Sequence, residues 1–473
     1  MFVSNNDWYF PLPEVMTCNS DVEIDNKLLA KYINLHKKEI RRYEMLNQMY
    51  RGRHSIVDQP RKDAYKPDNR IVVNFAEYIT ETFNGYFIGK PISVSHDSPD
   101  LSERVNQILK LNDQNDNNAE LSKKVSIFGR AYEFLWQDEE AQTQITYNDP
   151  LDMFMVYDKS IAQRKLFAVR YYLNDDNRLE GEIYTRDRII YFVQGGRGYE
   201  LINETPHYYH DVPVVEYIFN EERKGIFENV ISMINAFNKG ISEKANDVDY
   251  FADAYLAILG VQLDKDGMQK IRDNRIINFF GTDDPEQIKN IVVEFLQKPD
   301  GDQSQEHLLD RLERLIYQMA MVTNLNSETF GNASGVGLSF KLQEMENLAL
   351  AAERKFTSGM NQRFKMIFQL PTNIPASQKG EWINLEYTFH RNIPRDTASE
   401  VETAQAAAGL LPLEDRIAMV SSIRDPKEVA RQMKEESGGP VTDNFSRTIG
   451  GNENERENTK FTQRTTNSID KEL

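Results

Sequence analysis

Hydrophobic positions along this chain change period several times, and the changes mark its elements. Apolar side chains fall every three or four residues, on one face of a helix, at Leu29, Tyr32, His36, Ile40, Tyr43, Leu46 and Tyr50. Asp25 reads as the N-cap of that helix and Gly52 as its stop; His36, on the apolar stripe, reads as a core or interface histidine. The period returns at Phe75, Ile79, Phe83 and Phe87, where Asn74 and Glu77 have the spacing of a capping box and Gly89-Lys90-Pro91 ends the run. Ser98-Pro99 opens a helix with Leu101, Val105 and Ile108, and a further helix covers Ala119 to Phe128. Between the first two helices, Arg51, Arg53, His54, Arg61, Lys62 and Lys66 read as a basic loop, and Asp68 to Asn74 as a short strand-like run.

From Arg130 to Asn220 the period is two. Tyr132–Trp136, Gln144–Tyr147, Phe154–Val156, Phe167–Tyr171, Glu182–Tyr184, Ile189–Phe192 and Val212–Tyr217 read as strands, with turns at Asp175–Asn177 and Gly195–Gly198. This predicts an antiparallel β-rich unit. The helical period resumes at Gly225 and holds through Phe227, Ile234, Phe237, Ile241, Val248 and Tyr255, with Glu243, Asp247, Asp249 and Asp253 on the other face. Residues 256–298 carry three short apolar runs and read as a small αβ insert. Asp302, with Gln305, caps another helix whose apolar face is Leu308, Leu312, Leu315, Met319 and Val322.

A break follows, rich in Asn, Ser, Thr and Gly from Asn324 to Gly337, a composition that favours a loop. Beyond it Leu338, Leu342, Met345, Ala349, Ala352, Phe356, Met360, Phe364 and Ile367 share one helix face up to Pro371. About 30 residues at about 1.5 Å each make a rod near 45 Å. Trp382–Tyr387 reads as a strand returning to the β-rich unit, and three short helices follow at Thr397–Ala408, Leu413–Ser421 and Pro426–Glu436. Residues 1–24 are irregular, with Trp8, Tyr9 and Phe10 ahead of Pro11 and Pro13 as a local anchor or an arm for a neighbour. The tail, 437–473, has too few apolar residues to order itself and is expected to be disordered.

The 473 residues suffice for two to four domains, and a net charge of −18 argues against a sequence-reading nucleic-acid binder with a basic face. A lone cysteine, Cys18, excludes a disulfide framework or a cysteine metal centre within one chain and points to a reducing compartment. With no signal-like start and no long apolar run, the expectation is a soluble intracellular chain without a membrane partner.

Catalytic patterns are sparse. Gly89-Lys90 lacks the upstream glycine of a phosphate loop, and Gly331, Gly335 and Gly337 do not have dinucleotide spacing. Asp264-Lys-Asp266-Gly267 reads as a turn, because its glycine comes too early for a calcium loop. His207 and His210 lie close together, but without a carboxylate pair at ligand spacing. No catalytic residue, metal or cofactor is expected.

The order of several segments resembles the portal (head–tail connector) proteins of tailed double-stranded-DNA bacteriophages. They are Arg51–His54, Asp68–Ile71 with Asn74, Gly85–Ile92, Phe128–Tyr132, Gly331–Gly335 leading into the rod, and the acidic helical end at Asp425-Pro426-Lys-Glu-Val. The resemblance covers about residues 25 to 436. It implies an α+β fold with a mixed helical and β-rich wing (25–224, the long helix 338–370 and a strand in 371–395) and stem helices (225–255 and 302–323). It further implies a clip (256–298), a tunnel loop (324–337) and crown helices (396–436), with 1–24 an N-terminal arm. Such a protein forms a ring, expected to be a dodecamer, at one capsid vertex, assembled in the host cytoplasm and carried in the virion. Its expected partners are the terminase large subunit, a head-completion or adaptor protein, the major capsid and scaffolding proteins, and double-stranded DNA passing without specific grip.

By that resemblance Asn324, Asn326, Ser327, Glu328, Thr329, Asn332, Ser334 and Lys341 would belong to the DNA-channel loop or its base. Glu243, Asp247, Asp249 and Asp253 would line the channel, since a lysine-lined channel would bind phosphate and stall the duplex. Their other reading is a solvated helix face, and that of Lys341 a surface charge. Two further classes stay open on the residues: a cytosolic enzyme with its site in the β-rich unit, and a scaffold or adaptor with no channel.

Overall fold

A computed structural model describes residues 11–63, 66–252, 256–259, 292–295, 302–325, 335–392, 397–420, 423 and 425–437. It has both helices and sheets, as the expected α+β class requires, and divides into two compact units, residues 1–392 and 393–473.

The first unit opens with β1 (Thr17–Cys18), α1 (Asn26–Tyr50), α2 (Phe75–Ile88), β2 (Ser93–Ser95), α3 (Pro99–Leu111) and α4 (Gln114–Phe128). The Asp25 carboxylate accepts the Leu28 N–H at 2.8 Å and so caps α1, while Gly52 takes φ of 81° just past its end. The Asn74 side chain accepts the Glu77 N–H at α2. Helix α4 starts five residues before the expected Ala119. Its first turns are polar, and the residues they bury are polar too, Gln114 donating to both Asn118 and Glu133, so no apolar period marks them.

The β-rich part is built of two sheets. The larger has the order β1, β5 (Met153–Asp158), β6 (Lys165–Leu173), β7 (Leu179–Tyr184), β8 (Arg188–Gly195), β9 (Gly198–Pro206), antiparallel apart from the parallel β1–β5 pair. The smaller is β10 (Val214–Ile218), β3 (Arg130–Gln137), β4 (Thr143–Asn148). Alternation explains the packing. On β5, Phe154 and Val156 face α1, where they join Leu29, Tyr32, Ile33 and Phe192, whereas Met153 and Met155 face the smaller sheet with Tyr132, Tyr184 and Val214. Strands β1 and β9 were not anticipated. The first has two residues, and the second is an edge strand whose side chains are mostly exposed, so neither carries a hydrophobic period.

After a 3₁₀ turn at Glu228–Val230 comes α5 (Ile231–Ala252), shorter at its start than the helix expected from Gly225. Strands β11 (Leu256–Leu259) and β12 (Val292–Phe295) pair antiparallel within the expected insert, whose middle, like Asp264–Gly267, lies outside the described residues. Then come α6 (Asp302–Ala320) and α7 (Gly335–Gln369), a 35-residue helix about 52 Å long that begins inside the expected glycine-rich break. The expected strand at Trp382–Tyr387 is mostly a 3₁₀ turn. Only β13 (Glu386–Thr388) is extended, and it pairs with β2, not with the β-rich sheets.

The second unit holds α8 (Thr397–Ala406), α9 (Leu413–Ala418) and α10 (Pro426–Ser437) around Ala404, Ile417, Val420 and Ala430. Asp425 caps α10 by accepting the Glu428 N–H at 3.0 Å. Trp8, Tyr9, Phe10 and the tail from Gly438 lie outside the described residues.

Candidate functional site

Helices α5 and α6 flank the β11–β12 insert and pack antiparallel. Lys244 pairs with Glu306 and Gly240 meets Leu309, where an added Cβ would stand 3.0 Å from Leu309 Cδ2. The base of α2 wedges against both helices through Phe75, whose ring lies 5.0 Å from Phe237 and 5.7 Å from Tyr317. The buried face of α6 is Leu309, Ile316 and Ala320, rotated from the expected one: Val322 just past the helix is buried and Leu312 and Leu315 are half-buried, but Leu308 and Met319 are 55% and 46% exposed. Gly240, with no side chain, leaves room on α5 for Leu309 of the inward face.

The strand-like run Asp68–Asn74 joins no sheet. It lies extended along α5, and its backbone is held by the helix's side chains: Asn69 N–H donates to Asn246 Oδ1 at 2.6 Å, Ile71 N–H to Ser242 Oγ at 2.9 Å, and Val73 N–H to Asn238 Oδ1 at 2.9 Å. The match is geometric. Two extended residues advance about 6.6 Å and four helical residues about 6.0 Å, so alternate amides meet every fourth side chain. All three helix residues are buried, and His54 extends the ladder by bridging Asn238 and the Asn74 cap.

The expected stem acids fall beside this strap. Glu243 accepts Lys62 Nζ at 2.7 Å, which holds its carboxyl below the ordinary range, and Asp249 accepts Asn69 Nδ2 at 2.5 Å. Asp247 is partly buried, and the Asp253 side chain is outside the described residues. Of the loop residues, Asn324 donates to Glu313 Oε1 at 3.1 Å. Asn326, Ser327, Glu328, Thr329, Asn332 and Ser334 lie outside the described residues. Lys341 sits in the second turn of α7, where its carbonyl accepts the Thr323 hydroxyl at 3.0 Å and ties the two ends of the break.

Buried ion pairs fix α7 and α1. Arg363 of α7 grips Glu133 of β3 at 2.6 and 2.7 Å and also donates to Asn118; both partners of the pair are buried, and Glu133 further accepts the Tyr217 hydroxyl. One turn earlier Gly359 lies against the Tyr217 ring, 2.3 Å from where a Cβ would be, so only glycine permits this approach. On α1, Arg42 binds Glu228 with two hydrogen bonds of 2.6 and 2.7 Å and donates to the Arg223 carbonyl. Arg130 reaches Glu39 at 2.6 Å and Glu216 at 3.5 Å, and Arg223 also binds Glu216. Burial works to raise the Glu216 carboxyl, but Arg223 and Arg130 outweigh it and hold it below the usual range. Sequence reading missed these arginines and the ladder. The one available signal was polar residues at four-residue steps (Asn238, Ser242, Asn246), which share one stripe of the helix.

Three histidines, His36, His54 and His207, are tied into the fold by hydrogen bonds. His36 is buried between the Tyr171 hydroxyl and the Pro150 carbonyl, each at 2.8 Å, and His207 donates to the Thr185 carbonyl. Among the described residues no group of three or more His, Cys, Asp or Glu could hold a metal, and no helix is long and apolar enough to cross a membrane.

A family model for phage portal protein, SPP1 Gp6-like, matches residues 29–439. The portal protein of Bacillus phage SPP1 is 23% identical over 450 residues, covering 88% of this chain and 87% of that protein. The portal protein of Clostridium phage phiCD119 is 20% identical over 404 residues, covering 80% and 88%.

Proposed function

This chain belongs to the SPP1 Gp6-like family of phage portal proteins, and from that membership we propose that it builds a ring-shaped channel for double-stranded DNA at one capsid vertex. Phage portal proteins are structural components of the virion rather than enzymes. The observation that carries the finer reading is the run α5, β11–β12, α6, break, α7 within the matched region.

In this reading 225–255 and 302–323 are the stem, 256–298 the clip, 324–337 the tunnel loop, and 25–224 with 338–370 and 371–395 the wing; 396–436 is the crown. The clip meets the terminase large subunit and later the head-completion adaptor, while the wing and crown meet capsid and scaffolding proteins. Leu308, Met319 and Val248, exposed in a single copy, are covered by neighbouring subunits of a ring, expected to have twelve. Because Lys62 neutralises Glu243, repulsion of DNA falls to Asp247, Asp249 and Asp253, which keep contacts brief by leaving phosphates unneutralised. The test is the mass of the purified chain in solution together with particle images. Rings of about a dozen subunits with a central hole are expected; a monomer or dimer under all assembly conditions overturns the reading.

A further inference from the structure

We propose that the open end of the core between the two β-sheets is a docking cleft for a partner protein's extended, proline-bearing segment that also carries a basic residue. The sheets close on each other through Tyr132, Met153 and Met155 and then part toward the β3–β4 turn, leaving a cleft of about 800 Å³. Aromatic rings form its walls. Phe134 stacks on Trp136 with centroids 5.5 Å apart and planes at 12°, and meets Tyr184 at 4.7 Å across the sheets. Trp136 and Tyr191 are each 36% exposed and Tyr208 is 71% exposed, so three large aromatic side chains border one concavity.

A polyproline II segment suits such walls. Its pyrrolidine rings lie flat on aromatic faces, it is ordered before binding and so loses little entropy, and its carbonyls can accept from the Trp136 N–H and tyrosine hydroxyls. The charge selects the flank of the segment. Asp138, Glu139 and Glu182 line the cleft against one cation, Arg170, which is already bound to Glu182 at 3.4 Å. Asp138 accepts the Glu140 and Gln142 N–H groups and the Gln144 amide, which favour its ionised form. An arginine or lysine beside the prolines meets this acid and the neighbouring aromatic faces.

The test is fluorescence polarisation of a labelled oligoproline peptide ending in Arg-Arg, titrated with the full-length chain. Saturable binding is expected, weakened about tenfold or more by Trp136→Ala and lost when the peptide's prolines become glycines or its arginines become glutamates. Tyr208→Ala, at a largely exposed position, should weaken binding without disturbing the fold and provides a second variant should Trp136→Ala fold poorly. Absence of saturable binding, equal binding of the glycine or glutamate peptide, or binding indifferent to both variants overturns the proposal. None of these outcomes depends on ring formation, so the cleft and the channel stand or fall separately.

Discussion

At the scale of single residues, the structure rests on charges placed where water does not reach. Arg363 and Glu133 lose hydration on burial and recover it through each other, Asn118, Tyr217 and Gln114. Arg363→Ala should therefore cost about 3–5 kcal/mol by leaving Glu133 buried without its cation. Arg363→Met combined with Glu133→Leu should recover most of that, and denaturant unfolding of the three proteins measures both steps. His36 gives a pH signature. Burial, aided by Arg130, pushes it down from 6.5 to about 3, so it stays neutral in the fold. Between those values only the unfolded chain takes up the proton. Stability should then fall as pH drops from about 6.5 toward 3, by up to about 1.4 kcal/mol per unit, and His36 should contribute no slope above that range. Thermal melts near pH 7 and near pH 5 should diverge less in His36→Gln than in the parent.

At the scale of elements, period and caps made most helices and strands legible: Asp25 and Asn74 cap as their spacing predicts. The misses share a physical cause. A run of alternating residues signals an extended backbone but not the partner of that backbone, and for Asp68–Asn74 the partner is a helix. Likewise Leu308 and Met319 are apolar and correctly spaced, yet which face of α6 turns inward depends on the surfaces it packs against, as where Gly240 of α5 makes room for Leu309. The ladder is open to a direct test. Ser242→Ala removes the acceptor of the Ile71 amide and should cost about 1–3 kcal/mol. Hydrogen exchange at Ile71 should accelerate more than exchange within α1, and equal protection would show that the rung contributes nothing.

At the scale of the whole molecule, composition argued for what the chain does not do, while the order of its segments carried the family resemblance. Net charge of −18 and the scarcity of catalytic patterns point away from gripping nucleic acid and from catalysis. The lining of the proposed channel is the least legible feature, because a lining is defined by copies around an axis and not by any pattern within one chain. Deleting Asn326–Asn332 should leave assembly unchanged by sedimentation while DNA packaging fails; packaging at the parental level would remove the loop from the mechanism.

The strap on α5 also sets which insertions and deletions this chain tolerates. A residue added among 59–61, ahead of the strap, should leave every rung in register. One added between Asn69 and Ile71 turns every later amide through half a revolution, away from Ser242 and Asn238, and so strands two buried acceptors at once. Adding two residues there restores the facing but slides the strap by one rung, which α5 absorbs only with four residues of its own. Length variation at this joint is therefore quantised, two residues of strap for four of helix.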